Sequence, residues 1–291
     1  CIWNTSFMIG EILLVSIGLI GLIIATITDL KYREVPDFLN YFLITTGLSF
    51  RFVYSILSTD WLYFLYGLIG LGVAFLFGFI LYVTKQWGGG DTKLLMSVGV
   101  IFATKPFFIN GEDSLFLARM FLNIFLAGAL YGIGYGVYLA IKNFDNFKKE
   151  FKRIMEGEKI RFIKKLSMTI AAIAFILVLM TKDYATKLIL LGFVIFLIFY
   201  IYLWVFVKSV ENACMFQLIP VNKLAEGDWV VDDVIKNKKV IYRKNKLAVD
   251  KRDILMFMKE GVKRVKIKGG IPFVPSFLIG TLFTLIWGSL V

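Results

Sequence analysis

The sequence contains no histidine. This absence excludes a Ser-His-Asp triad, a histidine-based zinc site and a histidine general base. The two cysteines, Cys1 and Cys214, have no CxxC partner and are too few for a four-cysteine zinc site. Carboxylates therefore remain as the main candidates for acid–base chemistry, and we expect a site without metal or cofactor.

The composition is typical of a membrane protein. Hydrophobic residues make up 58% of the chain, and the mean hydropathy is +0.77. Soluble domains are usually about 45–50% apolar. The 29 phenylalanines are also typical of a surface that faces lipid. We therefore predict an all-α polytopic membrane bundle.

Eight apolar segments approach membrane length. A spanning helix needs about 17–25 residues. The fourth and sixth segments are shorter than this, and they are the two that we expect to be lost, which gives six to eight transmembrane helices. The eight predicted spans are Met8–Thr28, Phe38–Leu57, Trp61–Thr84, Leu94–Phe108, Phe116–Ile141, Leu166–Met180, Ala185–Val207 and Ile271–Leu290.

The basic residues define an orientation. Of the 33 lysines and arginines, 28 fall in the connections 29–37, 85–93, 142–165 and 208–270. The positive-inside rule places these connections in the cytoplasm and both chain termini outside. The net charge of +12 then mainly reflects the membrane topology, with the basic residues facing lipid. We therefore expect no nucleic-acid binding. The same topology disfavours a disulfide between the two cysteines.

The first span does not have the pattern of a cleaved signal peptide, because it lacks a basic leading region and a convincing cleavage site. A compact start at Met8 favours residues 1–7 being an extension, and a fragment boundary is equally compatible.

Two aspartates lie where long apolar segments meet short polar ones. Asp29 ends the first span in ATITDLKYREVPD, and Asp91 follows a triple glycine in QWGGGDTKLL. A carboxylate embedded in a membrane costs about 2.5–3.5 kcal/mol at a helix centre, so such residues usually have a function. The pair suggests proteolytic chemistry.

Each aspartate alone also has a plain structural interpretation. Asp91 could be the N-cap of the next helix, and Lys93 could hold Asp91, bind lipid phosphate or mark the cytoplasmic boundary. Gly88, Gly89 and Gly90 carry no side chain, so an extended substrate could lie against them.

The segment after Asp29 predicts a helix boundary. Pro36 prevents helix continuation before it, so the first helix should end near Lys31 and the second should begin around Pro36 or Asp37. Taken alone, Asp29 could be an interfacial residue that pairs with Lys31 or Arg33.

Together the two segments resemble the type IV prepilin and archaeal preflagellin peptidases, which are GxGD aspartic proteases. The resemblance rests on Asp29 with Val35-Pro36-Asp37 and on Gly88-Gly89-Gly90-Asp91. It covers residues 8–141 and implies an endopeptidase with Asp29 and Asp91 as catalytic residues. Gly88, Gly89, Gly90, Lys93 and Pro36 would bind or position the substrate.

The resemblance also implies the substrate, a prepilin- or preflagellin-like precursor whose short basic leader is cut at the cytoplasmic membrane face. Glu34 and Asp37 could attract the basic leader or be solvated loop charges. The four-cysteine zinc domain of the bacterial enzymes is absent, which favours the archaeal branch. The extra apolar spans leave the choice between flagellin and pilin precursors open.

The expected mechanism uses a shared proton. Two neighbouring carboxylates do not both ionise readily, so one can activate a water while the other polarises the scissile carbonyl and donates to the leaving amine. The sequence leaves open which aspartate carries the proton.

Residues 208–270 predict a small cytoplasmic α+β domain inserted before the last helix. GDWVVDDV and KKVIYR alternate like strands, Asp250 is a candidate N-cap with Asp253 at the third position, and VKRVKIKGG is a further strand. The predicted domains are therefore 1–207, 208–270 and 271–291. Docking of leaders, binding of anionic lipid and stiffening of the bundle are all open for the insert. The 142–165 connection predicts a basic amphipathic helix at the interface.

The sequence fits two other classes of protein less well. A presenilin-type protease would need a Pro-Ala-Leu motif, which the sequence lacks. A small proton- or ion-coupled transporter could also use paired acids and glycine-broken helices, but both aspartates lie at one membrane face and no inverted repeat is apparent. An inactive homologue is disfavoured because both acids are present.

Overall fold

The computed structural model describes residues 2–107, 109, 115–236, 239–244, 246 and 248–288. Over these residues the chain forms ten α-helices. They are α1 (Ile2–Tyr32), α2 (Asp37–Ser58), α3 (Trp61–Val83), α4 (Gly89–Ile101), α5 (Phe116–Lys142), α6 (Phe144–Met155), α7 (Glu158–Met180), α8 (Tyr184–Val210), α9 (Lys251–Lys259) and α10 (Val274–Trp287). Cys1 lies outside the described residues.

Six of the described helices are long and apolar enough to cross a membrane, which confirms the polytopic helical bundle. These segments are Phe7–Tyr32, Asp37–Ser58, Trp61–Val83, Phe116–Lys142, Glu158–Met180 and Tyr184–Met215.

The lengths of three predicted spans differ from the structure. The fourth is lost as expected, because α4 has only 13 residues and is about 20 Å long. The expected loss of the sixth is wrong, since α7 begins at Glu158 rather than Leu166 and reaches 23 residues. The last span is a 14-residue helix, α10, over the described residues.

Helix α4 is short but enclosed, because it packs against α1, α2 and α3. Small residues allow its backbone to touch that of α3. A Cβ added at Gly70 would lie 2.1 Å from the Gly99 carbonyl oxygen, and one at Gly78 would lie 2.7 Å from Thr92 Cγ2. Close approach through small residues is how membrane helices gain packing energy.

The C-terminal end of α4 is held by a buried arginine. Arg51 is 1% exposed and donates to the carbonyls of Val100 (2.8 Å) and Ile101 (3.1 Å). Its guanidinium also lies 4.4 Å from the ring centroid of Tyr63, whose hydroxyl donates to Glu11 over 3.3 Å. Since the last carbonyls of a helix have no partner within it, this arginine fixes where α4 ends.

The inserted segment contains one helix and several short strands, which confirms a small α+β region after α8. Its strands are β1 (Phe216–Pro220), β2 (Trp229–Val230), β3 (Val234–Lys236), β4 (Lys239–Tyr242) and β5 (Arg264–Lys268). β1 pairs antiparallel with β5, and β3 pairs antiparallel with β4. The predicted turn around Asn237 lies partly outside the described residues.

Helix α9 begins as its sequence predicts. Asp250 is the N-cap, its side chain accepts from the Asp253 N–H (2.8 Å), and Asp253 accepts in return from the Asp250 N–H (3.0 Å). This reciprocal pair is a capping box. Gly261 follows the helix with a φ of 65°, a left-handed conformation that glycine adopts without strain.

The chain divides into two compact units. One comprises Cys1–Gly132, Asn222–Val262 and Gly270–Val291, and the other comprises Ile133–Val221 and Lys263–Gly269. In the second unit, α6 has no buried residues and carries basic side chains. The single amphipathic helix predicted for 142–165 is divided, because α6 ends at Met155 and α7 begins at Glu158. All of the candidate site residues lie in the first unit.

Candidate active site

Asp29 lies in the last turn of α1 and is 6% exposed. The helix ends three residues later, at Tyr32, because the next residue, Arg33, adopts a left-handed conformation with a φ of 60°. The Arg33 N–H closes the last turn on the Asp29 carbonyl at 2.9 Å. The predicted end near Lys31 is confirmed, with α1 ending at Tyr32.

Pro36 begins the second helix as its N-cap, with extended backbone. Its carbonyl accepts from Leu39 (3.1 Å) and Asn40 (3.4 Å), which forms the first turn of α2. The preceding Val35 is 5% exposed and points towards the glycines. A Cβ added at Gly90 would lie 3.3 Å from Val35 Cβ, so this glycine allows the α1–α2 connection to pack on the start of α4.

Asp91 lies in the first turn of α4, at its third residue rather than at the N-cap. Gly88 is the N-cap, and its N–H donates to Asp91 Oδ2 over 3.1 Å. Gly88 has a φ of −75°, and the described glycines with positive φ are Gly227, Gly261 and Gly288. Of the three glycines, Gly90 therefore serves close packing against Val35, whereas a Cβ at Gly88 or Gly89 would make only ordinary contacts of 3.5 and 4.0 Å.

The two aspartates, 62 residues apart in the sequence, come close enough to interact electrostatically. Burial, and to a lesser extent the negative charge of Asp29, together raise the pKa of Asp91 to about 7. A carboxyl group in this condition still holds its proton close to neutral pH, where it can act as an acid. The structure thus brings together the two residues that the sequence singled out.

The first turn of α10 also contacts this site. The Val274 N–H donates to Asp29 Oδ2 over 3.0 Å. Just after the end of α1, the Arg33 guanidinium donates to the Gly270 carbonyl. The sequence of this region predicts only a last membrane span and gives no indication of the contact. The contact leaves little trace in the sequence, because the donor is a backbone N–H that any residue except proline can supply.

An aromatic cluster covers the turn before the triple glycine. Trp87 is 6% exposed. Its ring lies 5.1 Å from that of Phe273, 5.3 Å from Phe277 and 5.6 Å from Phe125, measured between centroids. Because Trp87 immediately precedes Gly88, this cluster connects α10 to the segment that carries Asp91.

Lys93 pairs with Asp37 rather than with Asp91. The Lys93 Nζ lies 2.6 Å from Asp37 Oδ1 at a partly exposed position. Beside this pair, Asn40 is fully buried and donates to the Gly90 carbonyl over 3.4 Å. Asn40 is a further residue that the sequence analysis did not identify.

Acidic groups from two segments lie near each other beside the α1–α2 connection. Burial raises the pKa of Asp228, and the nearby charge of Glu34 raises it further.

Within the described part of the chain, no three Cys, Asp or Glu side chains are grouped so that they could hold a metal ion.

The fold and the site together define a polytopic membrane protein with two interacting carboxyl groups at the ends of its helices. Residues 16–137 match the sequence model of the Type IV leader peptidase family. This range contains both aspartates and the whole of the pattern on which the resemblance rests. The resemblance to prepilin and preflagellin peptidases is therefore confirmed over this region.

Individual relatives of the chain are named preflagellin peptidase or prepilin peptidase. The chain is 39% identical over 85 residues to a preflagellin peptidase of Methanocaldococcus jannaschii, which covers 29% of this chain and 36% of the relative. It is 27% identical over 155 residues to a preflagellin peptidase of Methanococcus voltae, covering 50% and 66%. It is 29% identical over 103 residues to the prepilin peptidase EppA of Methanothermobacter thermautotrophicus, covering 35% and 27%.

The chain thus spans about a third of the length of the first curated relatives that it matches. No solved structure matches it.

Proposed function

We propose that this protein is a membrane aspartic endopeptidase that removes the short basic leader of prepilin- or preflagellin-like precursors. The observation that carries the proposal is the meeting of Asp29 and Asp91, which interact at the ends of α1 and α4. The match of residues 16–137 to the Type IV leader peptidase family supports the reaction class. The names of the relatives support the substrate class.

The proposed reaction is hydrolysis by a water bound between the two carboxyl groups. The ionised carboxylate takes a proton from the water, whose oxygen attacks the scissile carbonyl carbon. The protonated carboxyl polarises the carbonyl oxygen and then gives its proton to the leaving nitrogen as the C–N bond breaks. Two products form, a carboxylic acid on the leader and an amine on the mature chain.

The proposed location of cleavage is the cytoplasmic face. The connections that hold the aspartates, 29–37 and 85–93, contain two lysines or arginines each, whereas residues 1–7 and the short connection 59–60 contain none. This local asymmetry supports a cytoplasmic orientation. A basic leader would approach the acidic groups of Glu34 and Asp228, which lie beside the α1–α2 connection. Asp37 is less available because it pairs with Lys93.

The proposal is tested by incubating the purified full chain, in detergent, with leader-bearing pilin and flagellin precursors. Asp29→Asn and Asp91→Asn should each lower the rate of leader removal by at least about 10²–10⁴-fold, since each removes a group that transfers a proton. Asp145→Asn is the matched control, because Asp145 is an exposed aspartate on α6. Mass spectrometry of the products gives the cleaved bond.

The pH dependence of cleavage is a second test of the mechanism. Because the pKa of Asp91 is raised to about 7, its proton is lost as the pH rises through that value, and cleavage should decline on the alkaline side. Substantial turnover by either asparagine variant, at any pH, would rule out the two-aspartate mechanism.

A further inference from the structure

The first turn of α10 makes contacts to both catalytic segments that neither the sequence pattern nor the paired-aspartate mechanism explains. Its backbone meets Asp29 at Val274, and its aromatic side chains meet the Trp87 that precedes Gly88. Val274 and Phe277 are fully buried, so the contacts lie in the interior.

We propose that the first turn of α10 is a positioning element that holds Asp29 as the ionised member of the pair and thereby assigns Asp91 as the proton donor. This inference rests on the proposed function and adds the role of each aspartate. It also gives a positioning role to α10, which has 14 residues over the described part of the chain.

The hydrogen bonds to the two carboxyl groups differ. Asp29 accepts from the Val274 N–H at 3.0 Å, and the backbone of Phe273 provides a second interaction. Both donors belong to the start of α10, where unpaired N–H groups favour a negative charge. Asp91 lies likewise in the first turn of a helix, α4, so the number of donors is what distinguishes the two carboxyl groups. Asp91 accepts from the Gly88 N–H of its own helix. The carboxylate with more donors aimed at it is better stabilised when ionised.

The charges around Asp29 favour the same assignment. Arg33, the residue after the end of α1, interacts favourably with the Asp29 carboxylate. Asp91 faces it from α4, and the Asp37 of α2 is paired with Lys93. The first turn of α10, from Val274 to Phe277, contains no charged side chain.

A second contact fixes this geometry. The Arg33 guanidinium donates to the Gly270 carbonyl, four residues before Val274. The chain between these two contacts is therefore attached to α1 at both ends. The rings of Phe273 and Phe277 hold the same turn against Trp87. A shift of this turn would move Asp29 and the segment before Asp91 together.

The decisive comparison is between Val274→Pro and Val274→Ala in the purified full chain. Proline removes the N–H and suits the first turn of a helix, but it also disfavours the αR backbone of the preceding Phe273. Alanine keeps the N–H and removes only the side chain, and the Arg33 variants below lack the backbone effect. We expect kcat for precursor cleavage to be about tenfold lower in V274P than in V274A, with KM within about twofold, because a charge-assisted hydrogen bond is lost. The pH at which activity is half lost on the acidic side should rise by about one unit.

Arg33→Gln and Arg33→Lys form a second pair that decides the question if V274P does not fold. R33Q should lower kcat and move the acidic limit in the same direction, and R33K should restore most of the loss. Thermal unfolding in detergent reports the folded fraction of every variant.

The outcomes separate this inference from the proposed function. If D29N is inactive while V274P and R33Q match their conservative partners in kcat and acidic limit, the role of α10 is wrong and the protease assignment stands. If D29N cleaves normally, the protease assignment itself fails. Lower kcat with a shifted acidic limit in V274P or R33Q supports the inference.

Discussion

The two ends of α4 both bury ionisable groups, but they compensate them differently. At the C-terminal end, Arg51 donates to the helix carbonyls and lies over Tyr63, and Glu11 accepts from the Phe107 N–H (2.6 Å). At the N-terminal end, two carboxyl groups face each other, and the charge of one raises the pKa of the other. The first end has the opposite charges that stability requires, and the second has the like charges that acid–base catalysis requires.

The comparison also shows why one short helix can serve both purposes. Because α4 is seated by α3 through Gly70 and Gly99 and closed by Arg51, its position does not depend on spanning the membrane. The strained pair of acids at its other end is then held in place by the rest of the bundle. This division of tasks predicts which substitutions affect stability and which affect chemistry.

The largest expected effect on stability is at Arg51. Arg51→Met should lower the free energy of unfolding by about 3–5 kcal/mol, because it leaves Glu11 and the carbonyls of Val100 and Ile101 buried without their cation. Chemical unfolding in detergent measures this loss. The double variant Arg51→Met/Glu11→Gln should recover part of it, since the uncompensated acid is removed.

Arg153→Met is the matched control, because Arg153 is an exposed arginine on α6 whose salt bridge to Glu150 is at the surface. It should change stability by less than about 1 kcal/mol. A loss of similar size in R51M and R153M would show that the C-terminal end of α4 is not a stabilising network, and the comparison would fail.

At the N-terminal end of α4, replacing the ionisable group should raise stability rather than lower it. The pKa of Asp91 is about 7 in the folded protein, against about 3.9 in an unfolded chain. The folded state therefore binds more protons between these values, and the stability that the neutral carboxyl provides is lost as the pH rises towards 7. Asp91→Asn does not ionise, so its advantage over the wild type should grow from pH 4.5 to pH 8.

We expect this advantage to reach a few degrees in the unfolding temperature, since Asp91 is only half-buried. Differential scanning fluorimetry at the two pH values measures it, with Asp145→Asn as the control. Parallel curves for the wild type and D91N would show that the acid pair carries no strain. A variant that is inactive but more stable would instead be the expected signature of a catalytic group.

The sequence indicated the two aspartates of the candidate site but not the contacts that hold them. Asp29 and Asp91 were found because charged residues stand out in apolar surroundings, and Pro36 was found because proline restricts the backbone. The contact from Val274 could not be found this way, since a backbone N–H leaves no trace in residue type. The place where α4 ends was missed for a related reason. Arg51 closes the helix from 49 residues away in the sequence, and hydropathy is a local measure.

The smallest effect is expected at the ion pair between Lys93 and Asp37. Their side chains are 32% and 59% exposed, so the pair is screened by solvent and should contribute less than about 1 kcal/mol. A double-mutant cycle of Lys93→Gln and Asp37→Asn, followed by unfolding in detergent, measures this coupling. Cleavage should change by less than about threefold in each variant, because Lys93 contacts Asp37 and not the proposed catalytic pair, Asp29 and Asp91. A larger loss in K93Q that D37N does not share would place Lys93 in substrate binding. The proposed active site would then extend from Asp91 to the exposed surface of α4.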